Sequence, residues 1–151
     1  MSLQSGTYII RSVLDKKAIG RHPIEDRSLL PKPVRALPSD VSAPKLVVQK
    51  VEDGYHIRAK GDITGRHDGQ LYAFLIDAIH GEAWRITEQP QHGKNIYIVE
   101  TNDREAGWSV PVDDDDKRGA HVNVRPLIVF PTYPPRFPDF ELFEFVRIDK
   151  A

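Results

Sequence analysis

Apolar residues in this chain come in short groups that alternate with polar ones, and few stretches carry them at helical spacing. The 12 prolines and 10 glycines break these groups every several residues, which shortens any element they form. This pattern predicts an all-β chain. Residues 71–80, Leu-Tyr-Ala-Phe-Leu-Ile-Asp-Ala-Ile-His, form the one candidate helix, although their β-branched and aromatic content and the flanking glycines suit strands or a loop equally.

Three strand-like stretches share one form: Gly6-Thr7-Tyr8-Ile9-Ile10-Arg11, Asp53-Gly54-Tyr55-His56-Ile57-Arg58 and Lys94-Asn95-Ile96-Tyr97-Ile98-Val99. Tyr8, Tyr55 and Tyr97 therefore open three units of similar length, near 1–52, 53–93 and 94–151. A second set falls at the end of each unit: Leu46-Val47-Val48-Gln49-Lys50-Val51, Trp84-Arg85-Ile86-Thr87-Glu88 and Phe143-Glu144-Phe145-Val146-Arg147-Ile148. Each alternates as a half-buried strand does. An opening and a closing strand recurring three times predict a single β-trefoil domain over residues 1–151, with a two-sheet sandwich as the rival architecture.

Composition removes several function classes. A chain of 151 residues can hide about 70% of its unfolded surface, enough for one core. Cysteine is absent, so a disulfide framework, a zinc-thiolate site and a cysteine nucleophile are excluded together. The 21 Lys and Arg against 22 Asp and Glu leave a charge of -1 with both signs dispersed, so nucleic acid is not an expected partner. No stretch approaches the roughly 18 apolar residues of a membrane span, and membrane association is not expected. The opening Met1-Ser2-Leu3-Gln4-Ser5-Gly6 lacks the marks of a secretory signal, so a cytoplasmic location is the expectation, with signal-independent release left open.

No catalytic constellation stands out. His22, His56, His67, His80, His92 and His121 show neither a His-x-x-x-His pair nor a His-Glu-x-x-His motif, so neither a metal nor a cofactor is expected. Ser28 and Ser109 lie outside any Gly-x-Ser-x-Gly elbow. A binding protein, not an enzyme, is the reading.

The opening Ser5-Gly6-Thr7-Tyr8-Ile9-Ile10-Arg11, the proline-rich stretch 31–38 and the ending Phe143-Glu144-Phe145-Val146-Arg147-Ile148 resemble the β-trefoil protease inhibitors of mushrooms, and among them the serine-protease inhibitors called mycospins. The resemblance implies a trefoil of 12 strands whose surface loops include one that inhibits a trypsin-like protease. Plant trefoil inhibitors of the Kunitz type usually carry disulfides, absent here. Trefoil lectins of the ricin type repeat Gln-x-Trp, which neither Trp84 nor Trp108 completes. Inhibition of papain-like cysteine proteases, in the manner of the related mycocypins, and sugar binding are the alternatives to trypsin inhibition.

A substrate-like inhibitor must present a braced, exposed loop whose key side chain fills the specificity pocket, and for trypsin that side chain is Arg or Lys. The segment Gly20-Arg21-His22-Pro23-Ile24-Glu25-Asp26-Arg27-Ser28-Leu29-Leu30-Pro31 fits, because Pro23 and Pro31 bracket it and restrict His22 and Leu30 to extended backbone. Arg27 is the expected specificity residue and Ser28 the residue after the scissile bond, flanked by Ile24, Glu25, Asp26 and Leu29. The acidic pair is unfavourable beside a trypsin cleavage site unless its carboxylates hold the loop through hydrogen bonds. Arg21 and Lys117 are alternative anchors. Lys117 ends the run Asp113-Asp114-Asp115-Asp116, whose mutual repulsion predicts a mobile, solvated turn, and that run lacks the spacing of a calcium loop. The stretch Phe130-Pro131-Thr132-Tyr133-Pro134-Pro135-Arg136-Phe137-Pro138 reads as a stiff exposed loop, either packed on the barrel or forming a second binding surface. The expected complex is one-to-one, between a monomer and a trypsin-like serine protease.

Overall fold

A computed structural model describes residues 3–76 and 78–149. The first unit holds β1 (Gly6–Ser12), β2 (Ile19–Gly20), β3 (Lys32–Pro33), β4 (Arg35–Ala36) and β5 (Leu46–Val51). The second holds β6 (Gly54–Ala59), β7 (Asp62–His67), β8 (Gln70–Phe74) and β9 (Arg85–Glu88). The third holds β10 (Ile96–Glu100), β11 (Gly107–Ser109), β12 (Ala120–His121), β13 (Asn123–Arg125) and β14 (Phe143–Arg147). Single residues, Val34 and Val122, interrupt β3/β4 and β12/β13. Counted as continuous strands, the units contribute four each, the 12 strands of a β-trefoil.

The first and last strand of each unit close a six-stranded barrel. β1 pairs with β5, β5 with β6, β9 with β10, β10 with β14, and β14 with β1. The remaining seam, β6 to β9, is one bridge at Tyr55 and Trp84, whose backbones exchange hydrogen bonds of 2.9 and 2.7 Å. A closed ring leaves no edge strand open to pairing with another chain.

The inner hairpins cap this barrel around a threefold hub. Val34 N donates to Leu71 O at 3.0 Å, Leu71 N to Val122 O at 2.9 Å, and Val122 N to Val34 O at 3.1 Å, so three backbone amides form a closed triangle. Leu71 is fully buried there, which explains why 71–74 is strand and not the candidate helix. β8 pairs with β7, β3 and β13, and these ladders satisfy backbone groups that a helix would bond internally. Among the described residues, Ala78–His80, a 3₁₀ turn, is the only helical part of that stretch, and there is no α-helix.

Tyr8, Tyr55 and Tyr97 are buried at equivalent places in β1, β6 and β10. Tyr8 and Tyr97 each pack edge-on against Phe145, and Trp108 packs edge-on between Trp84 and Phe143. Trp84 Nε1 donates to Thr64 Oγ1 at 3.0 Å, which in turn donates to Ile57 O at 2.8 Å, so the indole is buried without a lost bond.

Candidate functional site

The loop 21–31 runs from β2 to β3, so both of its ends are rooted in the cap. Gly20 is required at its start, because a Cβ there would come within 2.2 Å of the Pro44 ring. Arg21 follows and is 7% exposed. Its Nε and Nη2 donate to the two carboxylate oxygens of Glu25 at 3.0 and 2.8 Å, while Nη1 donates to Asp62 Oδ2 at 2.8 Å and to Ala59 O at 3.0 Å. This planar fork ties the first half of the loop to the β6–β7 hairpin. Burial disfavours the guanidinium charge, but the bonds to Glu25 and Asp62 outweigh it and raise the Arg21 pKa. A side chain held by four bonds is a brace, and Arg21, named as an alternative anchor, is buried within the molecule and not presented to solvent.

The second half of the loop is held by Lys32. Its side chain is 4% exposed, and its ammonium donates to the Asp26 backbone carbonyl at 3.1 Å, to Ser28 Oγ at 3.3 Å and to the Asp26 carboxylate. That carboxylate also accepts from the Ser28 backbone N at 3.0 Å, closing an Asx turn, and from the Ser28 hydroxyl. The bonds from Lys32, and then those from Ser28, hold the Asp26 carboxyl down at about 2 although the side chain is exposed. Leu30 N donates to Ser28 Oγ at 3.3 Å, and Ile24 N to His22 Nδ1 at 3.0 Å.

Between these two braces stands Arg27. It is exposed, and among the described residues no hydrogen bond or ion pair engages its side chain. Ile24 and Leu29 flank it, each 60% exposed. Leu29, Leu30 and Pro31 share a small apolar groove with Phe74, Leu75 and Ile76 from the second unit. Arg118 of the third unit borders the loop's other side, beside His22 and Ile24.

The sequence reading missed Lys32, placed just past the bracketing proline. A period-two pattern was available: Val34 and Ala36 face inward, so Lys32 shares their buried side. A lysine on an inward face must find a partner nearby, and here the partners are the loop's own groups. The contacts of Arg21 with Asp62 and Ala59 join residues about forty positions apart and left no local trace in the sequence.

Lys117 stays exposed on the acidic turn 113–118. Two of its four carboxylates cap backbone amides. Asp114 accepts from Asp116 N at 3.0 Å and His121 N at 3.3 Å, and Asp116 accepts from Arg118 N at 2.9 Å. Arg35 Nη1 stands 3.4 Å from Asp116 Oδ2. In the proline-aromatic stretch Phe137 is buried and Tyr133 fully exposed, with the loop tied down by Gln91 Nε2 to Pro135 O at 2.6 Å and Phe137 N to His92 Nε2 at 3.0 Å.

The β-trefoil thus presents an exposed cation on a loop that is braced from both sides. The family model described as Peptidase inhibitor I66 matches residues 1–147. A serine protease inhibitor from Lentinula edodes is 33% identical over 149 residues, covering 98% of this chain and 100% of that protein. A solved structure of a proteinase inhibitor from Coprinopsis cinerea is 42% identical, covers 97% of this chain and 100% of its own, and superposes with a TM-score of 0.91. The designed threefold-symmetric protein ThreeFoil, at 15% identity and TM-score 0.67 over 95% of this chain and 99% of its own, shares the fold alone. The chain belongs to the I66 family of peptidase inhibitors. It is a protease inhibitor and not an enzyme.

Proposed function

We propose that this chain is a reversible, substrate-like inhibitor of trypsin-like serine proteases, with Arg27 as the specificity residue and the Arg27–Ser28 bond presented to the protease. The observation that carries this reading is the contrast within one loop: Arg27 is free and exposed, while Glu25, Asp26 and Ser28 around it are pinned by Arg21 and Lys32. In a trypsin-like pocket a buried carboxylate pairs with such a guanidinium, and the scissile carbonyl lies in the oxyanion hole. Bracing beforehand removes much of the ordering entropy that a flexible substrate loses on binding, so a short loop suffices for tight binding. The L. edodes relative, a serine protease inhibitor by name, favours the serine class over the papain class.

Titration of trypsin, chymotrypsin and papain with the purified chain tests the proposal. A sharp one-to-one end-point with trypsin, and none with papain, is expected. An end-point with papain alone would move the target to the cysteine class.

A further inference from the structure

The braces of the loop do not all do the same thing. Arg21 and Glu25 hold its shape from outside the scissile bond, whereas Lys32 touches both sides of that bond. Its ammonium, 3% exposed with its residue, bonds the Asp26 backbone carbonyl on the acyl side and Ser28 Oγ on the amine side. The Asp26 carboxylate bonds the scissile nitrogen itself, Ser28 N, at 3.0 Å. Lys32 is fixed by β3, which pairs with β8 through Lys32 and Ala73 next to the threefold hub.

We infer that Lys32 and Asp26 form a leaving-group clamp, which keeps the Ser28 amine in place after the protease opens the Arg27–Ser28 bond so that the bond re-forms. The inference rests on the assignment of Arg27 and Ser28 to the scissile bond. In acylation the protease serine oxygen bonds the Arg27 carbonyl carbon and the bond from that carbon to Ser28 N breaks. The serine proton passes through the protease histidine to Ser28 N, leaving an ester and a primary amine. Two nucleophiles then compete for the ester. Water gives the Arg27 carboxylic acid and a nicked inhibitor. The Ser28 amine gives back the peptide bond and returns its proton through the histidine to the serine. An intramolecular nucleophile held in position reaches effective concentrations of about 10⁵ M or more, so a retained amine outcompetes water.

The new amine gains charge on protonation, and the Asp26 carboxylate already lies at its nitrogen. Lys32, on the same side of the cut as Ser28, in turn ties the Asp26 carboxylate of the acyl segment to the segment that carries the amine. An acidic residue just before the specificity arginine, unfavourable in a substrate, is here a part of the retention device. Lys32 and Asp26 are thus positioning residues: they act on the leaving amine and leave the pocket contact to Arg27.

The test compares the parent with Lys32→Met, Asp26→Ala and Asp26→Asn in the full chain. Each is incubated with catalytic trypsin, starting once from intact and once from nicked inhibitor, and the ratio of nicked to intact chain is followed by mass spectrometry beside residual trypsin activity. The parent is expected to stay mostly intact and its nicked form to reseal. Lys32→Met and Asp26→Ala are expected to inhibit at first within about tenfold of the parent, then to lose inhibition as nicked chain accumulates at least tenfold faster without resealing. Asp26→Asn, which keeps an acceptor for Ser28 N but no charge, should fall between. Asp26 is exposed, so its variants decide the matter even if Lys32→Met folds poorly. Variants that are nicked no faster than the parent and reseal as well overturn the clamp. A parent cut elsewhere than Arg27–Ser28, or an Arg27→Ala variant that still inhibits trypsin, overturns the underlying assignment instead.

Discussion

The loop 21–31 of the first unit and the loop 110–119 of the third occupy the same place in the repeat, between the second and third strands. Both carry acidic residues followed by basic ones, yet they are held differently. In 21–31 the carboxylates are gripped by two buried cations, Arg21 and Lys32, and the fork of Arg21 reaches across to the second unit. In 113–118 the carboxylates mostly cap amides two residues on, and the one long-range cation, Arg35, meets an Asp116 side chain that is 46% exposed. The second unit has only the tight turn Asp68-Gly69 at this place. Both loops are tied to distant elements, the first by two buried cations and the third by Arg35, which also donates to Gly119 O at 2.9 Å. The difference therefore lies in how deeply the gripping cations are buried and not in the charge sequence.

The comparison yields tests of decreasing size. If only the first loop enters the protease, Arg27→Phe moves inhibition from trypsin toward chymotrypsin, since an aromatic ring fits an apolar slot and leaves trypsin's carboxylate unpaired. That shift amounts to several kcal/mol, about a thousandfold in the ratio of inhibition constants, while Lys117→Phe leaves the ratio unchanged. Equal shifts for the two variants would erase the distinction between the loops.

Next come the braces. Arg21→Met strands Glu25 and Asp62 and is expected to cost about 2 kcal/mol, lowering the melting temperature by about 4–8 °C. Arg35→Met, which loses a bond to Gly119 O and an ion pair with the half-exposed Asp116, is expected to cost less, about 1 kcal/mol. Thermal unfolding of both variants side by side checks the order, and the reverse order would contradict the claim that the first loop is the more firmly tied.

Acid should separate the loops further. The folded Asp26 carboxyl titrates at about 2, below its ordinary 3.8, so the stabilisation its bonds provide is complete above the ordinary value and is lost as pH falls through about 2. Asp116 is lowered too, by the Arg118 amide and then by Arg35, but its carboxylate has no buried cation like Lys32 on it. NMR titration of the side-chain carboxyls should show Asp26 protonating last of the two. Asp26 titrating in the ordinary range would remove Lys32 from its carboxylate. The smallest expected effect is Lys117→Ala, which should leave the trypsin inhibition constant within a few-fold of the parent.

Much of the fold could be read from alternation alone. The opening strands with Tyr8, Tyr55 and Tyr97 and the closing strands with Val48, Ile86 and Phe145 are the barrel, because their inward side chains recur with the pleat. The cap was less legible: β2, β3, β4 and β12 have two residues each, too short to show a period, and Leu71 owes its strand conformation to Val34 and Val122 in other units. The candidate loop was visible through Pro23 and Pro31, but what holds it was not. Arg21 reads as a spare anchor and Lys32 as a strand residue until the fold brings Asp62, Ala59, Asp26 and Ser28 to them.

The central claim is that Arg27 alone reaches the specificity pocket, and titration of trypsin with the parent and with Arg27→Ala tests it most directly. Truncating such an anchor costs roughly 2 to 8 kcal/mol, so inhibition should weaken by at least about 30-fold, with the melting temperature unchanged because an exposed, unbonded side chain contributes little to stability. An Arg27→Ala chain that titrates trypsin with the parent's end-point and affinity would contradict the account.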